Sequence, residues 1–199
     1  MLDEKEFQAI RDSMDAFDAK RETVIKESRD LLKHSKQAIY CLHRDDVKGA
    51  EEHLKAAEAV KRKLDPEMAK DADLRTGGFS SSLEEYVEAK TFHSFLTTGK
   101  IATMKSLGVL PEEYLLGLSD LTGELMRRAV LAATKRDAKA VKSIHEALTL
   151  LYGQFVQFDF RNGELRRKYD SIKYNLQKVE NVLYDLSLSK RTVSGEDSE

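Results

Sequence analysis

Tryptophan is absent from this 199-residue chain, proline occurs twice and cysteine once. So few prolines, with only ten glycines, exclude a loop-rich or turn-rich fold. The lone Cys41 excludes an internal disulfide, fits a reducing cytoplasm, and reads as a buried structural thiol rather than a nucleophile. No apolar run approaches membrane-spanning length. The N-terminus MLDEKEFQAIRD is charged from its third residue and lacks the apolar core of a signal peptide, so a cytoplasmic protein with no membrane partner is expected. A net charge of −2 excludes a global basic field that would capture nucleic acid. Any such binding must come from local clusters of basic residues, or from patches joined by assembly.

What is plentiful is Ala, Leu, Glu, Lys and Arg, the residues of long helices, with 34% of the chain charged. The expected fold is all-α: a single-domain bundle of about seven helices over residues 1–189, with a disordered tail at 190–199. Apolar residues recur at helical spacing from Phe7, Ile10, Met14 and Phe17 through Val24, Leu31 and Ala38 to Leu42, predicting one very long first helix over 3–44. A second is expected over 47–64, ended by Asp65 and Pro66, with a short helical piece over 66–72. The stretch RTGGFSSS (75–82) reads as a loop. One of Ser80, Ser81 and Ser82 is then the cap of the next helix, with Glu84 or Glu85 as its capping-box partner. Further helices are expected to Thr98, over 111–135, 137–158 and 163–188. Gly99 and the turn at 161–163 supply stops.

Two acidic pairs stand out. On a helix, Glu85 and Glu88 (i, i+3) fall within the arc that also carries Ala89, Phe92, Phe95 and Leu96, where a solvated glutamate does not belong. Asp120 and Glu124 (i, i+4) sit at the edge of the stripe formed by Leu115, Leu118, Leu121 and Leu125. Gly117 and Gly123 are costly inside a helix, and Gly117, at nearly the angular position of Glu124, leaves room there for a close helix or a ligand. Crowded carboxylates beside apolar surface suit a hard divalent cation. The plainer alternative is that these are ordinary solvated helix acids, with Glu124 paired to Arg127 or Arg128. A di-iron bundle needs Glu-x-x-His pairs, and none of the five histidines has a glutamate three residues before it.

The segment YLLGLSDLTGELMR (114–127) closely resembles the signature of TRAX-type members of the translin/TRAX family, and EYVEA (85–89) resembles their upstream acidic motif. Ser28 to Asp30, Ser35 with Lys36, and Leu42 to Arg44 resemble their first helix; residues 165–186 resemble the shared end helix, in a more translin-like wording. The similarity covers nearly all of the chain except the tail. It implies a seven-helix subunit of a hollow octamer, here a compact member assembled from one kind of subunit. It further implies an Mg²⁺- or Mn²⁺-dependent endoribonuclease whose metal-binding, catalytic acids match Glu85, Glu88, Asp120 and Glu124. Its counterpart is a non-catalytic octamer that binds RNA or single-stranded DNA.

Two clusters of basic residues are candidates for phosphate contacts. One, on the first helix, includes Arg21, Lys26, Arg29 and Lys33; the other, near the last turn, includes Arg166 and Arg167. The aromatics Phe155, Phe158, Phe160, Tyr169, Tyr174 and Tyr184 are expected to serve the core or an interface before they stack on bases.

Overall fold

The computed structural model describes residues 2–161 and 163–194. Among them are seven α-helices, one 3-10 turn and no strand. The chain forms two compact units, 1–93 and 94–199. No described helix is long and apolar enough to cross a membrane.

The first unit opens with α1 (Glu4–His43), capped by the Asp3 carboxylate, which accepts from Lys5 N–H at 2.9 Å. Val24, Leu31, Ala38, Ile39 and Leu42 form its buried stripe. Ser28 and Ser35 interrupt the stripe but are buried too; each hydroxyl donates to its own helix, to Val24 O (2.6 Å) and Leu31 O (2.9 Å). Asp45 turns the chain in a left-handed conformation (φ 62°), and Asp46 caps α2 (Val47–Lys70) through Gly49 N–H at 2.9 Å. The two helices run antiparallel. Lys63 bonds Glu27 at 2.5 Å, whereas His53 faces His34 at 3.3 Å, so the partner number on α2 rises as that on α1 falls. Small residues, Ala50 and Ala57, are fully buried on α2 as Ala38 is on α1.

In this unit two boundaries differ from expectation. First, α2 does not stop at Asp65: Pro66 lies inside the helix, which continues to Lys70. Proline there removes one hydrogen bond to the Arg62 carbonyl, but the last turn persists because Met68 is buried on the same helix, and Lys61 bonds Asp65 at 2.8 Å just before the ring. The 3-10 turn Ala72–Leu74 follows. Second, α3 (Gly77–Thr98) begins where a loop was expected. Thr76, not a serine, serves its start: its carbonyl accepts from Phe79 and Ser80 N–H, and its hydroxyl from Phe79 N–H at 3.4 Å. Phe79, Ser82 and Leu83 are almost fully buried. That burial overrides the poor helix propensity of the two glycines, and Glu84 and Glu85 lie more than a turn inside the helix, too far to close a capping box.

The second unit holds the end of α3, the short α4 (Met104–Leu107), α5 (Pro111–Thr134), α6 (Ala138–Phe155) and α7 (Glu164–Ser194). Gly99 (φ 72°) and Gly108 (φ 61°) end α3 and α4 in the left-handed region. The α5–α6 connection repeats the α1–α2 device: Arg136 is left-handed (φ 56°), and Asp137 caps α6 through Ala140 N–H at 3.0 Å. Leu116, Leu121, Leu125, Ile144, Leu148, Ile172 and Val179 supply the core, where α5, α6 and α7 pack on one another. Phe155, fully buried, is ringed by Phe158, Phe160 and Tyr169, with centroids 6.0–6.5 Å away. The aromatic group is therefore a cluster packed around Phe155, with Phe158, Tyr174 and Tyr184 left exposed. Helix α6 ends three residues before its expected end, and α7 runs on to Ser194 because nothing between Leu188 and Gly195 breaks a helix. Asn162 and residues 195–199 lie outside the described residues.

Candidate functional site: two carboxylate pairs

Each acidic pair is described within its own unit. On α3, Glu88 is 7% exposed and Glu84 9%, while the Glu85 side chain is 21% exposed. Of the arc expected from helical spacing, Ala89, Phe92 and Phe95 are buried and Leu96 is half-buried. Glu84, read from sequence only as a cap partner, is a third acid of this patch. A buried carboxylate loses most of its hydration and needs compensation from hydrogen bonds or positive charge. Lys36 of α1 approaches Glu85 at 3.9 Å and is itself largely exposed, so its contribution is screened. The neighbouring Lys90 bonds Glu58 at 2.5 Å instead, and His93 Nε2 lies 3.5 Å from Glu51. Tyr86, between the acids, is buried, and that burial with Glu58 and Asp65 nearby pushes its phenol well above the ordinary range.

On α5, Asp120 and Glu124 are partly buried, with side chains 35% and 24% exposed. Lys168 of α7 donates to Asp120 Oδ2 at 2.7 Å, a contact spanning 48 positions of sequence. Glu124 lies 3.8 Å from Arg127, one of the two partners that the plainer reading gave it. Between these acids in sequence, Asn175 Nδ2–H donates to Thr122 Oγ1 at 2.9 Å, and the Thr122 hydroxyl donates to Ser119 O at 2.6 Å. Thr122 is fully buried and Asn175 nearly so, which clamps α5 to α7 beside the pair. A Cβ on Gly123 would meet Asn175 Nδ2 at 3.9 Å, an ordinary contact, so no close approach requires glycine there. Gly117 is buried. Glu113, a further acid of α5, is structural: buried, it accepts from Leu110 N–H at 2.9 Å.

All four predicted ligands carry hard oxygen donors in half-dry surroundings, the chemistry that Mg²⁺ or Mn²⁺ prefers. Within either unit, no group of three or more His, Cys, Asp and Glu among the described residues is arranged to hold a metal. Each pair by itself is thus a two-carboxylate donor set, which fits a cation that keeps much of its water.

Among the predicted basic contacts, Arg21, Lys26, Arg29 and Lys33 are exposed on α1. Lys26, Arg29 and Lys33 share one arc, opposite the stripe of Val24, Leu31 and Ala38. Arg166 and Arg167 are exposed on α7 but engaged locally, Arg166 with Asp170 (3.5 Å) and over the Tyr169 ring (5.3 Å), Arg167 with Glu164 (3.5 Å). A third basic stretch escaped the sequence reading. From Arg127 to Lys142, across the α5–α6 corner, six cationic residues face a single acid, Asp137.

Comparison with known proteins places these residues in context. Translin-associated protein X of Rattus norvegicus is 27% identical, over 92% of this chain and 77% of that protein. Its Schizosaccharomyces pombe homolog is also 27% identical, over 91% and 87%. An uncharacterised protein of Methanocaldococcus jannaschii is 32% identical, over 81% of this chain and 74% of its own length. Among solved structures, AfC3PO in complex with duplex RNA superposes with a TM-score of 0.86 at 23% identity, covering 92% of this chain and 97% of that one. Apo-NeC3PO gives 0.85 at 24%, covering 94% and 98%. The all-α fold is theirs, and the Translin family model matches residues 19–190. This chain belongs to the Translin family.

Proposed function

We propose that this protein is a divalent-metal-dependent endoribonuclease that works as a homo-oligomer, with Mg²⁺ or Mn²⁺ held by the carboxylates of Glu85, Glu88, Asp120 and Glu124. The observation that carries the reading is the burial of Glu88 one turn from Glu85, beside the buried Tyr86, Val87, Ala89 and Phe92. A hard divalent cation is a partner that suits carboxylates in such half-dry surroundings. The resemblance of 114–127 and 85–89 to TRAX-type motifs supports the same four residues. The RNA bound by AfC3PO supports the substrate class.

A divalent ion at these carboxylates supplies Lewis acidity at the scissile phosphodiester. Glu85, the more exposed of its pair, is placed to take a proton from an attacking water. Lys26, Arg29 and Lys33 form the exposed basic arc that suits a phosphate backbone, with Arg21, Arg166 and Arg167 as further contacts. The proposed assembly is an octamer acting in the cytoplasm, and the substrate is single-stranded RNA or RNA with accessible unpaired regions. The test is cleavage of such an RNA with Mg²⁺ and with EDTA, by the unsubstituted protein and by Asp120→Asn. Cleavage that persists in EDTA, or an Asp120→Asn variant of full activity, defeats the mechanism.

The Asp120–Lys168 and Glu124–Arg127 contacts favour a second reading, because they balance both α5 acids without a metal. On that reading the protein is a non-catalytic octamer that binds RNA or single-stranded DNA. Retained binding with no cleavage across a range of divalent ions identifies it.

A further inference from the structure

Helix α1 is longer than anything its own unit packs on it. It has 40 residues, about 60 Å, whereas α2 has 24, about 36 Å. Because Glu27 already meets Lys63 and the helices are antiparallel, α2 runs out near residue 20 of α1. Residues 2–23 are exposed throughout except Phe17, which is intermediate. Yet this arm is not a polar helix. Phe7, Ile10, Met14 and Phe17 recur at i, i+3, i+7 and i+10 within an arc of about 80°. They continue the face that Val24, Ser28, Leu31 and Ser35 bury further along. Phe7 is 42%, Ile10 47% and Met14 63% exposed. An isolated helix of this length is marginal in water, so an uncovered arm would hold its shape poorly.

Charge says what covers it. Over residues 2–18, six acids face two cationic residues, a net charge of −4. Two such arms laid on each other repel. The α5–α6 corner has the opposite character. Arg127, Arg128, Lys135, Arg136, Lys139 and Lys142 against Asp137 give +5 over residues 126–143, the Arg127 charge being shared with Glu124 at 3.8 Å and the Lys142 charge with Glu146 at 3.9 Å. Between them Val130 (43%) and Leu131 (37%) are exposed. One patch is apolar and acidic, the other apolar and basic, and each is exposed within its own unit.

We propose that the α1 arm of one copy docks its Phe7–Phe17 stripe on the α5–α6 corner of a second copy, with Asp12, Asp15 and Asp18 meeting the corner's cationic side chains. The contact is heterologous, arm to corner, and rests on the homo-oligomer part of the function proposed above.

The test uses the full chain and its mass by light scattering at low salt. Reversing the arm (Asp12→Lys, Asp15→Lys, Asp18→Lys) or the corner (Lys135→Glu, Lys139→Glu, Lys142→Glu) is expected to weaken self-association about tenfold or more. Combining both sets restores it, which a folding defect would not allow. In a Cys41→Ala background, a mixture of Met14→Cys and Leu131→Cys copies forms a disulfide dimer, whereas Met14→Cys alone does not. Unchanged mass after either reversal, or cross-linking of Met14→Cys with itself, overturns the arm-to-corner contact while leaving the oligomer intact. A corner reversal that abolishes RNA retention without changing mass assigns the corner to RNA and also overturns it. A monomeric unsubstituted protein defeats the homo-oligomer reading itself.

Discussion

Lys168 Nζ donates to Asp120 Oδ2 at 2.7 Å, binding the middle of α5 to the start of α7. The lysine occupies the carboxylate that the proposed metal needs. Lys168 holds one of the two carboxylate oxygens and so competes there with the proposed metal.

Replacing Lys168 by glutamine leaves the Asp120 carboxylate to the metal alone. The expected outcome is a several-fold lower Mn²⁺ concentration at half-saturation, read by calorimetry. Weaker Mn²⁺ binding would instead make Lys168 a support of the site. Asp120→Asn loses Mn²⁺ affinity at that centre whether or not Lys168 is present.

Glu88→Gln separates function from folding. The amide keeps the shape and removes a buried charge. Glu88→Gln is expected to lose the rise in melting temperature that Mg²⁺ otherwise confers. A melting temperature that still rises with Mg²⁺ as before would remove Glu88 from the ligand set.

The Asn175–Thr122 bond predicts a stability effect unconnected with metal. Asn175→Ala leaves Thr122 Oγ1 without that donor in a fully buried position and is expected to cost about 1–3 kcal/mol in denaturant unfolding. Replacing both residues by apolar ones of similar shape (Thr122→Val with Asn175→Leu) is expected to cost less than the sum of the two single changes.

His34 and His53 face each other across α1 and α2, Nδ1 to Nδ1 at 3.3 Å. Desolvation by burial lowers the pKa of His34, His53 and Lys33 lower it further, and Asp30 opposes them. A histidine with a lowered folded-state pKa binds fewer protons than in the unfolded chain. Its contribution is thus fully present above the ordinary histidine pKa of about 6.5 and is lost as the pH falls below it. Stability is expected to drop on acidification from that point, and His34→Gln to flatten the dependence. An unchanged pH profile in that variant would assign the drop to other groups.

Much of this was legible in the sequence, because helical periodicity carries both the number of helices and the face each one buries. It located α1 to within a residue at each end and placed Glu88 among buried residues. Its errors share a cause. At Pro66 and at Gly77 and Gly78, local preference opposed a helix, and burial of Met68, Phe79 and Ser82 on the next turns prevailed. The Lys168–Asp120 contact has no local signature, since nothing in a linear pattern pairs residues 48 positions apart. The basic corner was missed because its charges divide between the end of one helix and the start of another, and become a patch only when Arg136 turns the chain.

The buried small residues of α1 and α2 have a consequence for how this sequence can vary. Ser28, Ser35, Ala38, Ala50 and Ala57 are held by size more than by chemistry, because each serine hydroxyl is already spent on its own helix. Exchange among serine, alanine and glycine keeps the two helices at their present spacing. A leucine at position 35 has nowhere to go without parting them, at about 1–3 kcal/mol or more. Drift at these five positions is thus open in one direction and closed in the other. The first helical hairpin tolerates change on its surface while the distance between its two axes stays fixed.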